Sequence, residues 1–273
     1  MRVLAINDIS CVGKCSLTAA LPIISACGAE CTVLPTALLS THTGGFEGYT
    51  FRDLTSEIDG ILRHWKALGI KFDYVLSGYL GSIEQIDLVA RIKKEFLADN
   101  GKFIVDPVMG DGGKLYAGFT AEYVKKMRDL CRTADYILPN VTEACLLADV
   151  PYPFSAETAQ PILDKLAEIC PMPIITGLID EEGISVRFTN RKGAAYSFSH
   201  ENVEGFFCGA GDVFASAFVG CLARGKKVAE SIYLASDFVA AAIRRSATEV
   251  PDKRFGLNFE MEIFPFLQKL NSL

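Results

Sequence analysis

Residues 205–220 read G-F-F-C-G-A-G-D-V-F-A-S-A-F-V-G. Gly209, Ala210 and Gly211 lead into Asp212, and the small and apolar run behind it predicts a buried helix. Glycine at 209 and 211 lets the chain turn sharply and admits a ligand close to the main chain. The first amides of such a helix have no intrahelical acceptor, so their N–H groups point outward as an anion site. A carboxylate in the first turn beside those amides suits phosphoryl transfer. The amides steady the developing charge while the carboxylate takes a proton from an attacking hydroxyl. The same Asp212 also fits a local role as a charge at the helix terminus. At a helix start it is predicted to keep a low pKa.

The elements that must position this loop alternate along the chain. Residues 2–8 predict a strand running from edge to core, 14–27 a helix and 30–35 a second strand, which is the spacing of a parallel crossover unit. The loop between the first two, S-C-V-G-K-C-S, has Cys15 where a Walker loop needs Ser or Thr, and it lacks G-x-G-x-x-G. It remains a small-molecule loop at the carboxyl end of a strand. Residues 36–50 are irregular, polar and glycine-rich, a candidate flap. A helix over 51–68, a strand over 73–78 and a helix over 82–98 follow. The strand over 102–107 ends at Asp106, and Pro107 fixes the chain after it. The glycine-rich stretch behind it reads as flexible. After a helix over 120–131 and a strand over 134–140, Asn140 and Glu143 have the spacing of a capping box. A Pro-rich turn at 149–156, a helix over 157–169 and a strand over 172–177 come next. Runs at 184–189 and 194–199 straddle N-R-K-G as an antiparallel hairpin. Helices from about 211, over 228–245 and over 260–270 complete a single mixed α/β domain, residues 1–273.

Composition narrows the function. The chain has 273 residues, half of them apolar, which is enough for a sizeable core. No run approaches eighteen apolar residues, so no membrane span is expected. The net charge is −6 and basic residues are scattered, which argues against nucleic acid as a partner. The start M-R-V-L-A-I lacks a signal-peptide pattern. Nine cysteines, odd in number and irregularly spaced, with only three histidines, read as reduced thiols of a cytoplasmic protein rather than disulfides or a zinc site. His64 and His200 read as structural. His42 could reach a substrate or lie as polar loop surface, and Lys14 could meet a phosphate or stay solvated.

Asp106-Pro107, Asn140 with Glu143, Thr176-Gly177 and the run Gly209, Ala210, Gly211, Asp212 occur in this order. With Ser10 and Gly13, the flap residues Ser40 to Gly44, Ser77 to Gly81, and Asp106 to Gly110, the chain resembles the ribokinase-like superfamily. Within it, the closest likeness is to the pyridoxal/pyridoxamine kinases, over about residues 2–245. The resemblance implies a three-layer αβα sandwich with a mostly parallel central sheet, a late antiparallel hairpin and a small flap. It implies a small-molecule substrate, a B6 vitamer, phosphorylated on its 5′-hydroxymethyl group with ATP and Mg²⁺; a monovalent cation is left open. Asp212 would be the general base and the 209–212 amides the anion hole. Ser10 would bind the ring-nitrogen side of the vitamer, Thr43 its substituents, and Tyr79 would pack against it. Asp106 and Glu143 would organise magnesium, chiefly through water. Asn140, Thr176, Gly177, Gly209 and Gly211 would lie near the nucleotide phosphates, with adenine between 184–199 and the helix starting near 228. A homodimer is also implied.

The chain departs from the family pattern in two places. The flap reads T-H-T-G-G-F, without the glutamine and tyrosine usual after the threonine, and Ala210 replaces a common threonine. In some B6-handling kinases a cysteine near the catalytic loop engages the aldehyde, a role open to Cys208. The alternatives are a hydroxymethylpyrimidine kinase of thiamine synthesis and a non-catalytic B6-binding protein.

Overall fold

The structure is a computed structural model. It describes residues 1–155, 158–181, 183–189, 195–203, 205, 207–250 and 252–272. In chain order the first elements are β1 (Arg2–Val12), α1 (Ser16–Ala26), β2 (Glu30–Thr41), β3 (Phe51–Asp53), α2 (Thr55–Ala67), β4 (Phe72–Ser77), α3 (Ile83–Phe96) and β5 (Leu97–Val105). A small hairpin, β6 (Gly110–Asp111) and β7 (Lys114–Leu115), precedes α4 (Ala121–Cys131), β8 (Tyr136–Ile137), α5 (Val141–Ala148) and α6 (Ala159–Ala167). The chain then forms β9 (Ile174–Asp180), β10 (Gly183–Thr189), β11 (Ala195–His200), α7 (Ala210–Ala223), α8 (Val228–Glu249) and α9 (Ile263–Ser272).

The central sheet has the order β3-β2-β1-β4-β5-β8, parallel except for the edge strand β3. Parallel bridges from Ile137 to Pro173 and from Asn140 to Thr176 carry it on to β9, and β9, β10 and β11 pair antiparallel. Strand side chains alternate between faces, and β1 shows the consequence. Val3 and Ala5 enter a core built with α1, α7, α8 and α9, whereas Leu4 and Ile6 enter a second core built with α2 to α6. Helices therefore cover both faces of the sheet, giving a three-layer αβα sandwich. Among the described residues no helix is long and apolar enough to cross a membrane, and all nine cysteines are free thiols.

Several boundaries differ from the sequence reading. β1 is not an edge strand; it lies between β2 and β4 and runs to Val12. β2 extends to Thr41, past Pro35, because the ladder with β1 is irregular just after the Asn7–Pro35 pair, where a residue without an N–H is tolerated. Residues 51–53 form an edge strand instead of a first helical turn. β5 begins at Leu97, well before residue 102, and β8 is only two residues long. The stretch after Pro107 is an ordered hairpin, with Gly110 pairing Leu115. The N-R-K-G turn lies outside the described residues.

α1 and α7 lie side by side under β1, and Gly220 makes their approach possible. A Cβ there would stand 2.5 Å from Cys27 Sγ. Gly220→Val is expected to overpack this contact and lower stability by about 1–3 kcal/mol. Urea unfolding should show a lower midpoint with an unchanged slope.

Candidate active site

The carboxyl end of β1 and the N-terminus of α7 meet at Asp212. Gly209 caps α7 in the left-handed region, φ 81°, and a Cβ there would come within 2.6 Å of Lys14 O. Only glycine makes this turn without strain. Val213 N donates to Gly209 O at 2.9 Å, the first intrahelical bond. The amides of Ala210, Gly211 and Asp212 precede it without an acceptor inside the helix, the ready-made anion site of a helix start. Gly211 is exposed, and a Cβ on it would lie 3.9 Å from Asp106 Oδ2. The loop therefore faces Asp106.

Asp212 is held from below by residues that motif reasoning passed over. Asn7 Oδ1 accepts the amides of Asp8 (3.0 Å) and Tyr79 (2.8 Å), which fixes its amide so that Nδ2 donates to Asp212 Oδ1 at 3.0 Å. Gly78 leaves room for this, since any Cβ there would run into the Asn7 amide. Asp8 is buried and accepts Ser16 Oγ (2.6 Å) and Ser10 Oγ (3.0 Å). Ser16 has φ 51°, a strained value for a residue with a side chain. Its hydroxyl bond to Asp8 and its amide bond to Asp212 hold it there. The only sequence signal for Asn7 and Asp8 was a strand ending in polar residues.

A small void of about 10 Å³, room for a single water, is lined by Asn7, Gly78, Asp106, Asp212 and Ser216, among others. Burial here raises the Asp212 carboxyl to about 7, aided by the charges of Asp8 and Cys208 and opposed by the Ser16 amide and Asn7. The low pKa expected of a helix-start aspartate is corrected: desolvation outweighs the local donors.

Asp106 and Glu143 form a second acidic pair. Burial raises Asp106 well above the carboxylate range, and the Glu143 and Asp212 charges add to this. Asn140 and Glu143 make the capping box of α5. Asn140 Nδ2 also donates to Gly110 O (2.9 Å), and Glu143 accepts Asn140 N (2.9 Å) and Met109 N (3.1 Å). Burial lifts Glu143 to about 8 against these amides. Mutually repelling carboxylate oxygens are the donor chemistry Mg²⁺ takes, often while keeping its waters. Both Glu143 oxygens already serve backbone amides, and no three His, Cys, Asp or Glu among the described residues converge as direct ligands. The fit is with a cation held through its own water. Thr176, bonded from its amide to Pro139 O at 3.0 Å, and the exposed Gly177, φ 72°, border Asn140 through the bridge to β9.

The predicted substrate residues separate. Tyr79 is half-buried and stacks on Phe119, 5.9 Å between centroids. Thr43 is exposed on the flap. Ser10 is fully buried, donates to Asp8 and does not line the cavity. His42 is buried, with Nδ1 3.5 Å from Cys208 Sγ. A thiol hydrogen bond from Cys15, aided by His42, lowers the Cys208 pKa against burial, and the same contact raises His42. Lys14 is paired with Glu260 at 2.9 Å.

A strand-end carboxylate facing helix-start amides across a cavity, on a sheet of this topology, is a phosphotransferase-type arrangement. Comparison with known proteins narrows it. The family model described as phosphomethylpyrimidine kinase matches residues 15–256, and the chain belongs to that family. A pyridoxal kinase of Lactobacillus plantarum superposes with TM-score 0.92 and 32% identity, covering 99% of this chain and 98% of that one. A Bacteroides thetaiotaomicron structure with pyridoxal, also assigned to the phosphomethylpyrimidine kinases, gives TM-score 0.91 and 36% identity over 97% and 95%. A pyridoxine kinase of Bacillus subtilis is 30% identical over 190 residues, 65% of this chain and 66% of its own. The chain spans less than half the length of other curated relatives, 48% and 39% in two cases.

The folded state binds the Asp212 proton more tightly than the unfolded chain, whose value is 3.8. This group therefore favours folding most below pH 4 and opposes it increasingly as pH rises through about 7. Asp212→Asn is expected to be more stable than the wild type at pH 8 by about 1–3 kcal/mol. The gap should close towards pH 4 in urea melts across that range.

Proposed function

We propose that this chain is an ATP-dependent kinase of vitamin B6, phosphorylating the 5′-hydroxymethyl group of pyridoxal, pyridoxamine or pyridoxine to give the 5′-phosphate and ADP. The observation that carries this reading is Asp212, oriented by Asn7 and Ser16 in a cavity shared with Asp106, beside the free amides at the start of α7. An alcohol is a poor nucleophile until its proton has somewhere to go, and a carboxylate with a pKa of about 7 is matched to that task near neutral pH. The amides of Gly209, Ala210, Gly211 and Asp212 form the anion hole. Ala210, where the family resemblance implies a threonine in many members, supplies the amide without the hydroxyl.

Asn140, Thr176 and Gly177, with Gly209 and Gly211, line the path of the ATP phosphates, and Asp106 and Glu143 hold Mg²⁺ through water. When bound, that ion neutralises the β- and γ-phosphate charge. Tyr79 packs on the ring of the vitamer and Thr43 reaches its substituents as the flap settles. Ser10, its proton already engaged by Asp8, serves as an acceptor. Cys208, its thiol beside His42 Nδ1, adds its sulfur to the aldehyde carbon of pyridoxal while its S–H proton passes to the carbonyl oxygen, giving a hemithioacetal with no other reactant. The names of the Lactobacillus and Bacillus relatives and the pyridoxal in the Bacteroides structure support B6 over the pyrimidine alternative. The working unit is a single domain, a cytoplasmic homodimer, with K⁺ assayed as the monovalent cation.

The test is a panel of the three vitamers and hydroxymethylpyrimidine with Mg-ATP, with and without K⁺. Vitamer turnover is expected; turnover of the pyrimidine alone would replace this reading. Asp212→Asn should lose about 10²–10⁴-fold in kcat while keeping vitamer affinity, and indifference would leave a binding protein. For the wild type, kcat/KM should rise with pH through about 7, as Asp212 gives up its proton. Cys208→Ser should lower kcat/KM for pyridoxal and leave pyridoxine, which has no aldehyde, within about twofold.

A further inference from the structure

Residues 252–256, D-K-R-F-G, lie far along the chain from the flap, yet contacts at Gly45, Phe46 and His42 of the flap tip reach them. Asp252 organises the segment. Its carboxylate accepts Arg254 N at 3.1 Å and grips the guanidinium, with Nε at 2.9 Å and Nη2 at 2.7 Å. The remaining nitrogen, Nη1, donates to Gly45 O on the flap at 2.9 Å. The guanidinium carbon stands 4.9 Å from the centre of the Phe46 ring. Phe46 meets Phe255 edge to face at 5.3 Å and His42 at 5.0 Å. At the other end, Gly256 bridges Lys14, so the segment also grips the first βα loop.

The main chain of Arg254 does a separate job. His42 Nε2 lies 2.6 Å from Arg254 O. A carbonyl oxygen only accepts, so Nε2 must carry the hydrogen. That leaves the Nδ1 side of the ring facing Gly44 N at 3.1 Å and Cys208 Sγ at 3.5 Å. Arg254 therefore orders the backbone of the flap through its side chain and the imidazole through its carbonyl. A phosphate-binding role for this arginine conflicts with the geometry, because Asp252 already occupies two faces of its fork.

We propose that Arg254 is a positioning residue for the vitamer: it latches the flap at Gly45 and Phe46 to the 252–256 turn and sets His42 against Cys208. This rests on the B6-kinase reading for its kinetic arm only. An isolated half-exposed ion pair such as Asp252–Arg254 adds little. Here it fixes the guanidinium so that the contacts to Gly45 and Phe46 form without further ordering.

The test compares wild type, Arg254→Ala, Arg254→Lys and Phe46→Leu by amide hydrogen exchange of residues 42–48 and by steady-state kinetics. Arg254→Ala is expected to speed exchange of that segment tenfold or more while the sheet exchanges as in the wild type. KM for the vitamer should rise about tenfold, with kcat and KM for ATP within threefold. Arg254→Lys keeps a cation over Phe46 and a donor for Gly45 O, and should recover most of the loss. Phe46→Leu cuts the latch from the flap side without touching the turn and should reproduce the faster flap exchange. Unchanged flap exchange in Arg254→Ala and Phe46→Leu would overturn the proposal, as would faster exchange throughout the chain, or kcat and both KM values moving together. If the wild type turns over no vitamer, the B6 reading fails and the exchange experiment alone decides the latch.

Discussion

The hydrogen bond from Asn7 to Asp212 joins the first strand to a helix 205 residues away, and much of the molecule is arranged to permit it. A carboxylate in a cleft poor in water is held at a defined place only if something donates to it. Asn7 can do so because two backbone amides occupy its oxygen and turn its nitrogen inward. That requires β1 and β4 to be adjacent and Gly78 to lack a side chain. Ser16 completes the cradle by adopting a backbone conformation that would not persist alone.

The second organising feature is the concentration of negative charge. Burial raises the carboxyls of Asp106, Glu143 and Asp212, and the charges of Glu143 and Asp212 raise Asp106 further; Asp8 adds its charge to Asp212 from beneath. A protein gains no stability by crowding carboxylates. The arrangement makes sense where cationic and hydrogen-donating groups of a reaction meet them, as Mg²⁺ and an alcohol would in phosphoryl transfer. The same site shows how structural and chemical duties share residues. Glu143 caps α5 and supports the Met109 amide with the same carboxylate whose charge bears on Asp106.

Legibility varied with the range of the interaction. Long periodic helices and the βα alternation were readable because 3.6- and 2-residue periods are local properties. The two-residue β8 and the edge strand β3 were not, since three or fewer residues carry no period and exist only by pairing with neighbours. β2 was cut short at Pro35, where proline normally ends a central strand; the irregular ladder after Asn7 removes the need for its N–H. The capping box of Asn140 and Glu143 was legible, being a contact three residues long. Asn7 and Asp8 were passed over because polar residues at a strand end are common, and nothing local says which of them will face a helix from the far end of the chain.

The amino-acid sequence by itself determined the layered α/β architecture, the glycine turn before Asp212 and the helix start with its unbonded amides, because each follows from short-range sterics and periodicity. It also determined the family, through the order of motifs along the chain. Only the tertiary structure decided the chemistry of those parts. It set the protonation of Asp212, reversing the low value that its helix position implied, because desolvation depends on every element packed around the cleft. It likewise engaged Ser10 with Asp8, paired Lys14 with Glu260 and brought Arg254 onto the flap. Those outcomes are set by distances between segments far apart in the chain, which no local pattern encodes.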